Sequence, residues 1–301
     1  MYNLDSIHIN FSEHGLLVLN VILAFILFGI ALELKATDFT NLLRNKKTTL
    51  VGLSAHFILL PLLTFILVKL LQPPPSVALG MLLVGACPGG NMSNLFTHIA
   101  KGNTALAVGL TSVSHLLAIV FTPFNFSFYG SLDASTASLL KEIHLSVGEV
   151  FQTILLVIGI PLVAGILVNY KYPKLAEKLS KGMKKFSLIA FFLFLVAAFA
   201  GNAKVFTSNI TTIMPLVVLH NALALGAGYL FARLCQLDFA AVKTITFETG
   251  VQNSGLGLIL IFTFFNGLGG MALVAASWGV WHLVSGGMLA FYWGRKNNIE
   301  Q

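Results

Sequence analysis

The chain has 301 residues, of which 56% are hydrophobic and only 10% are charged. Soluble domains carry roughly 25% charged residues, so a water-soluble protein with one large core is excluded, because too little polar surface would cover it. The net charge of +7 does not indicate a nucleic-acid partner, since the basic residues fall in short stretches beside apolar segments.

Nine apolar segments follow one another along the chain, each near the roughly 20 residues that a helix needs to cross a bilayer. We predict them at 15–34, 49–71, 76–100, 103–124, 146–170, 186–203, 211–235, 239–264 and 268–294. No Lys or Arg precedes the first segment and no small-residue cleavage site follows it, so we interpret it as a retained span. The sequence therefore predicts an all-α polytopic membrane protein with nine transmembrane helices.

Lys and Arg are distributed unevenly between the two sides of this arrangement. Of the 18 basic residues, only Lys69, Lys141 and Lys204 fall on the side that holds the N-terminus. Because cytoplasmic loops carry the excess of Lys and Arg, we expect the N-terminus outside and the C-terminus in the cytoplasm. The expected location is the inner (plasma) membrane of the cell.

Segments three and eight interrupt their apolar runs with polar residues and glycine. They contain PGGNMSN at 88–94 and FETGVQNSG at 247–255. A broken backbone at membrane depth is tolerated only where it lines a cavity or is buried in protein. Paired interrupted segments in two halves point to a transporter's binding site, so we predict inverted repeats whose two broken helices cross. The alternative is that both tracts are ordinary kinks in packing helices. Kinks would explain the glycines but not the carboxylate of Glu248.

Glu248 is the one acidic residue that we predict deep within a span. An ionisable group at the bilayer centre costs at least about 2.5–3.5 kcal/mol and is normally paired or functional. No Lys or Arg is predicted at that depth, so we expect the partner to be a metal ion or a proton. Hard cations such as sodium prefer carboxylate, hydroxyl and carbonyl oxygens, and both polar tracts supply them.

Three long stretches resemble the bile acid:sodium symporter family: CPGGNMSNLFTHIAKGN at 87–103, ETGVQNSGL at 248–256 and WHLVSGGMLAFYWGRK at 281–296. VVLHNALALGAGY at 217–229 is similar to a further family segment. The resemblance implies one transporter unit over 1–301, with a core domain at about 49–124 and 211–294 and a panel domain at about 15–34 and 146–203. These domains would move against one another for alternating access.

The resemblance also implies which residues bind ions and substrate. The first sodium site would use Ser93, Asn94, Thr111 and Glu248. The second would use Glu248, the carbonyls of Thr249 and Val251, the Gln252 side chain and, where some relatives have glutamine, His56. The organic anion would bind near Asn91, Asn253 and His282.

Three positions depart from the family pattern. Ala107 stands where relatives often have a serine ligand, His56 offers nitrogen, which is a poor sodium ligand, and Leu283 replaces the asparagine of a Trp-His-Asn run. These departures leave the sodium stoichiometry and the substrate open. Known family substrates range from bile acids to small carboxylates such as pantoate and 2-oxo acids.

We therefore expect a sodium-coupled symporter of an organic anion, with sodium as the coupling ion and no cofactor. Proton coupling through Glu248 and His56 is an alternative, because histidine titrates near neutral pH. An intramembrane enzyme with Glu248 as base is less favoured, since the sequence has no nucleophile motif, no HExxH and no second deep carboxylate.

Overall fold

The computed structural model describes residues 4–7, 21–22, 24–29, 31–32, 42, 45–142 and 147–296. Within these ranges the chain is helical apart from short connections. In chain order the helices are α1 (Lys46–Leu71), α2 (Pro75–Ala86), α3 (Met92–Ile99), α4 (Thr104–Leu132), α5 (Ala134–Glu142), α6 (Val147–Lys171), α7 (Pro173–Gly201), α8 (Ala203–Leu234), α9 (Phe239–Gly250), α10 (Ser254–Phe264) and α11 (Gly269–Lys296).

Several helices have the length and composition of membrane spans. Among the described residues, four are long and apolar enough to cross a bilayer: Lys46–Leu71, Thr104–Leu132, Ala203–Leu234 and Gly269–Arg295. Shorter apolar helices accompany them at Pro75–Ala86, Gly159–Lys171 and Ser254–Phe264. Large apolar side chains also lie exposed on α1, at Ile58, Ile66 and Leu70. Such side chains suit contact with lipid acyl chains. The fold is thus that of an all-helical, polytopic membrane protein.

The helices differ from the predicted segments mainly at their ends. The segment predicted at 15–34 lies partly outside the described residues, and those described between 21 and 32 are helical. The segment predicted at 186–203 belongs to α7, which begins at Pro173. The basic residues Lys174 and Lys178 therefore lie in this helix rather than in a loop. Hydropathy locates the apolar part of a helix but not a polar extension beyond the membrane.

The two interrupted segments form the helix pairs α2–α3 and α9–α10, and their breaks lie side by side. Gly89 and Gln252 form an antiparallel bridge. The Gly90 N–H donates to the Val251 carbonyl, and the Asn253 N–H donates to the Pro88 carbonyl, both at 2.8 Å. Each break thereby satisfies backbone groups that the other would otherwise leave unpaired.

The second break is shorter than expected. The polar tract from Glu248 to Ser254 predicts a break of that length, but α9 continues through Gly250 and α10 begins at Ser254. Glu248 therefore lies in the last turn of α9, and only residues 251–253 are non-helical. The Val251 N–H still donates to the Phe247 carbonyl, because nothing in the polar sequence prevents helical backbone angles before that point.

The helices that carry the breaks lie inside the fold. Every residue of α2 from Ser76 to Ala86 is buried, and so is every residue of α9 from Ala241 to Gly250. A helix that is enclosed on all sides needs no polar face, which explains the absence of an amphipathic pattern in VALGMLLVGA. Both breaks therefore follow helices that the rest of the fold encloses.

An ion pair joins the C-terminal end of α1 to the residue before α5. Lys69 Nζ lies 2.6 Å from Asp133 Oδ2, and these side chains are 48% and 17% exposed. The hydrogen bond from Lys69, together with one from Ser135, holds the pKa of Asp133 well below its usual range.

We expect Lys69→Met to lower the free energy of unfolding by no more than about 1 kcal/mol, because water screens half-exposed ion pairs. Since the folded state lowers the pKa of Asp133, the contribution is complete above the ordinary Asp value of about 3.9 and is lost as the pH falls below it. Thermal unfolding of both proteins in detergent, at neutral and at acidic pH, measures the difference. A difference that grows on acidification would contradict this assignment.

Candidate cation and substrate site

Glu248 lies at the centre of a cluster of hydroxyl groups. Its side chain is 1% exposed. Oε2 accepts hydrogen bonds from Ser93 Oγ and Thr111 Oγ1, both at 2.8 Å, and Oε1 accepts one from Ser114 Oγ at 3.4 Å. No described Lys or Arg forms an ion pair with it. Because a buried carboxylate without a compensating charge is costly, this arrangement favours a cation supplied from outside the chain.

Three helices and one break position this cluster. Ser93 lies in the first turn of α3, and Thr111 and Ser114 lie three residues apart on one face of α4. Gly89 lets the first break approach the carboxylate, because a Cβ at this position would lie 2.1 Å from Glu248 Oε1. The close approach of backbone and carboxylate therefore requires glycine.

The residues predicted for the first sodium site lie together and fit the ion chemically. Thr111 Oγ1 lies 3.1 Å from Asn94 Oδ1 and 3.4 Å from Ser93 Oγ, in addition to its contact with Glu248. The cluster offers only hydroxyl, amide and carboxylate oxygens, which are the donors that hard cations prefer. Ala107, one turn before Thr111, is fully buried and adds no oxygen.

The residues predicted for the second sodium site surround the end of α9. The Thr249 carbonyl accepts a hydrogen bond from Gln252 Nε2 at 2.7 Å, and the Val251 carbonyl accepts one from Gly90. Gln252 Oε1 is buried and has no hydrogen-bond partner. This amide oxygen and the second lone pairs of the two carbonyls are therefore the groups that a cation could use here.

His56 connects both broken segments to α1. It lies in a π-helical turn, Ala55–Leu59, a local irregularity that often occurs at functional sites. Its Nε2 lies 3.0 Å from the Cys87 carbonyl and its Nδ1 lies 3.3 Å from the Glu248 carbonyl. Both ring nitrogens thus face hydrogen-bond acceptors, so the imidazole links the ends of α2 and α9.

Two of the three predicted substrate residues precede the helices that begin at the breaks. Asn91 precedes α3, is exposed and makes no capping hydrogen bond. Asn253 precedes α10, is half-buried and accepts the Leu256 N–H on Oδ1 at 3.1 Å. His282 lies within α11 and is buried. The bridge between Gly89 and Gln252 lies between Asn91 and Asn253, and among the described residues no hydrogen bond joins His282 to either asparagine.

Sequence reasoning missed Ser114, His115 and Asn221. Ser114 hydrogen-bonds Glu248, and His115 Nε2 lies 3.4 Å from Asn253 Nδ2. Asn221 Nδ2 donates to the Gly250 carbonyl at the end of α9, at 2.8 Å. The helical spacing of Ser114 from Thr111 could have indicated the first of these. The other two contacts join residues far apart in the chain, and no local sequence pattern predicts them.

A cavity of about 740 Å³ lies away from these residues. It is lined by Lys69, Asp133, Asn209 and Thr212 among others, at the ends of α1, α4 and α8. None of the predicted site residues lines it. The chemistry of the polar cluster, rather than the size of this cavity, therefore identifies the candidate site.

Comparison with known proteins identifies a matching family and several relatives. The family described as the sodium bile acid symporter family matches residues 20–209. The uncharacterized sodium-dependent transporter YocS of Bacillus subtilis is 36% identical over 94% of this chain and 85% of its own length. The probable sodium/metabolite cotransporter BASS1, chloroplastic, of Arabidopsis thaliana is 32% identical over 91% of this chain and 66% of its own.

A human protein, named P3 protein, is 29% identical over 84% of this chain, which spans about half (52%) of that protein's length. The two more similar relatives are named as a transporter and a cotransporter, which supports a transporter rather than an enzyme. The predicted family resemblance is confirmed, and this chain belongs to the sodium bile acid symporter family.

Proposed function

We propose that this chain is a secondary active transporter that carries an organic anion across the membrane together with sodium. The observation that carries the proposal is the buried Glu248 carboxylate, which lies among hydroxyl and amide oxygens where the two breaks meet. A bound sodium would supply the positive charge that keeps this carboxylate ionised inside the protein. The names of the relatives YocS and BASS1 support sodium as the coupling ion.

The proposed cation ligands come from elements on both sides of the breaks. Ser93, Asn94, Thr111 and Glu248 would form the first sodium site; Glu248, Thr249, Val251 and Gln252, with His56 beside them, would form the second. The first set is the better supported, because its oxygens already converge on one carboxylate. The strongest support for the second set is Gln252 Oε1, which is buried and has no hydrogen-bond partner among the described residues.

The anion would bind where the helix starts are accessible. Helix N-termini carry partial positive charge and free N–H groups, which favour anions. Both α3 and α10 begin at a break, with the accessible Asn91 and the half-buried Asn253 at their first turns. His282 would add a polar contact from α11. An amphipathic or small carboxylate is the substrate class that this site suits.

The proposed architecture is a nine-span inverted repeat, with a core domain at about 49–124 and 211–294 and a panel domain at about 15–34 and 146–203. The paired hydrogen bonds between Gly90 and Val251 and between Asn253 and Pro88 support the repeat, since a two-fold axis between the breaks would generate such a pair. The domains would rock against each other for alternating access. We place the N-terminus outside the plasma membrane, from the distribution of Lys and Arg.

Uptake into proteoliposomes tests the proposal. We expect an inward sodium gradient to drive accumulation of at least one radiolabelled anion from a panel that includes a bile acid, pantoate and a 2-oxo acid. Replacing external sodium by potassium should reduce the initial rate at least about tenfold, because the gradient supplies the driving force and the ion completes the site. Liposomes without the protein, under the same sodium gradient, are the control.

Two results would contradict sodium coupling. The first is uptake that is indifferent to sodium for every anion of the panel. The second is uptake that a protonophore abolishes while the sodium gradient is held constant. The second result would favour proton coupling through Glu248 and His56, whose ring lies against the carbonyls at the ends of α2 and α9.

A further inference from the structure

Asn253 is the polar side chain at the start of α10, and both ends of its amide are already engaged. Its Oδ1 accepts the backbone N–H of Leu256 at 3.1 Å, which caps the helix. Its Nδ2 lies 3.4 Å from Nε2 of His115 on α4. Because Leu256 N–H can only donate, the oxygen of the amide must face the helix, and the NH₂ group must face the histidine.

The histidine has an equally fixed arrangement of protons. Its Nδ1 lies 2.7 Å from the Thr111 carbonyl, which can only accept. The proton of the neutral ring is therefore on Nδ1, and Nε2 presents a lone pair to the Asn253 NH₂ group. With either the amide or the imidazole turned the other way, two donors or two acceptors would meet. The orientation of each side chain thus depends on the other.

Thr111 connects this arrangement to the cation cluster. Its hydroxyl donates to Glu248 Oε2 at 2.8 Å, while its carbonyl accepts the His115 proton. We propose that His115 is a positioning residue that links the cation cluster at Thr111 to the orientation of Asn253 at the start of α10. The inference rests on the proposed function, and it adds a residue that neither the sequence pattern nor the resemblance assigned.

The linkage has a consequence for substrate binding. His115 is 2% exposed, whereas Asn253 is half-buried, so Asn253 is the end of the linkage that a ligand can reach. One N–H of its NH₂ group faces His115, and the other remains to donate to a carboxylate or carbonyl oxygen. Sodium bound in the cation cluster would fix the position of Thr111, which would fix the orientation of the His115 imidazole and thereby that of the Asn253 NH₂ group. Sodium would therefore increase anion affinity through a reciprocal coupling.

Hydrogen exchange of the purified protein tests the linkage without a substrate. Peptides spanning 91–97 report on the cation cluster, and peptides spanning 253–258 report on the start of α10. In the wild-type protein we expect sodium, compared with potassium, to slow exchange of both segments at least about fivefold. In His115→Leu, we expect the slowing at 91–97 to persist and that at 253–258 to fall below about twofold.

His220→Leu is the matched control. His220 is also 2% exposed, and its Nε2 lies 2.7 Å from Thr64 Oγ1, which belongs to neither break nor to the cation cluster. We expect sodium to slow exchange of both segments in this variant as in the wild type. A buried histidine with a merely structural role at position 115 would give the same result in His115→Leu, and that result overturns the proposal.

A second variant keeps the test decisive if His115→Leu does not fold. In His115→Asn the amide nitrogen can still donate to the Thr111 carbonyl, but the shorter side chain ends before Asn253. We expect this variant to lose the sodium effect at 253–258, and its retention would overturn the proposal. If sodium slows neither segment in the wild type, the proposed sodium coupling is itself overturned, and the linkage with it.

Discussion

Glu248→Gln is expected to abolish the stabilisation of the protein by sodium. A ligand that binds only the folded state raises its stability by about 2.7 kcal/mol at a concentration of 100 Kd. Glutamine has nearly the shape of glutamate and can still accept the hydroxyls of Ser93 and Thr111. It lacks the charge that makes a cation favourable at this depth, so the entire sodium effect should disappear. Sodium-driven uptake should fall at least about 100-fold.

The sign of the effect without sodium separates lost binding from misfolding. In potassium buffer the wild type holds a buried carboxylate that forms no ion pair with any Lys or Arg of the described residues. Removing that charge should leave the unfolding temperature equal to or above that of the wild type. Thermal unfolding of both proteins in sodium and in potassium measures both effects. Glu177→Gln, on the exposed part of α7, is the control and should keep the sodium response. A normal sodium response in Glu248→Gln would place the cation elsewhere.

Among alanine substitutions of glycines in the two breaks, Gly89→Ala is expected to destabilise the protein most. The new Cβ would lie 2.1 Å from Glu248 Oε1 and 2.7 Å from its Cδ. The backbone of Gly89 is held by its bridge to Gln252, so the carboxylate would have to move away from Ser93 and Thr111. We expect the variant to lose the sodium response and about 1–3 kcal/mol of stability, as overpacked sites do.

The matched control for that experiment is Gly226→Ala. Gly226 lies within α8, and a Cβ there would meet no atom within 4 Å. Alanine in an open helical position should leave the sodium response unchanged and raise stability by up to about 1 kcal/mol. The unfolding temperatures of both variants in sodium and in potassium are compared. Equal sodium responses in the two variants would contradict the close approach of Gly89 to the carboxylate.

The sequence alone determined the helical membrane class and the two interrupted segments, and it predicted Glu248 as the central residue of the site. These features follow from local composition: a long apolar run must be helical in lipid, and one carboxylate within such a run is costly enough to require a reason. Ser93, Asn94 and Thr111 came from a resemblance, since each lies in an ordinary polar tract that would also suit a packing helix. The predicted helix ends were less accurate, as α7 shows, because hydropathy does not register a basic helical extension.

Only the tertiary structure decided which residues touch. The bridge between Gly89 and Gln252, the hydroxyl of Ser114 on Glu248 and the contact from His115 to Asn253 each join residues from separate segments of the chain. No periodicity within one helix encodes such pairs, because they depend on how helices pack and on which hydrogen-bond donors and acceptors remain unsatisfied when they do. The sequence thus supplied the carboxylate and the breaks, and packing determined which side chains surround them.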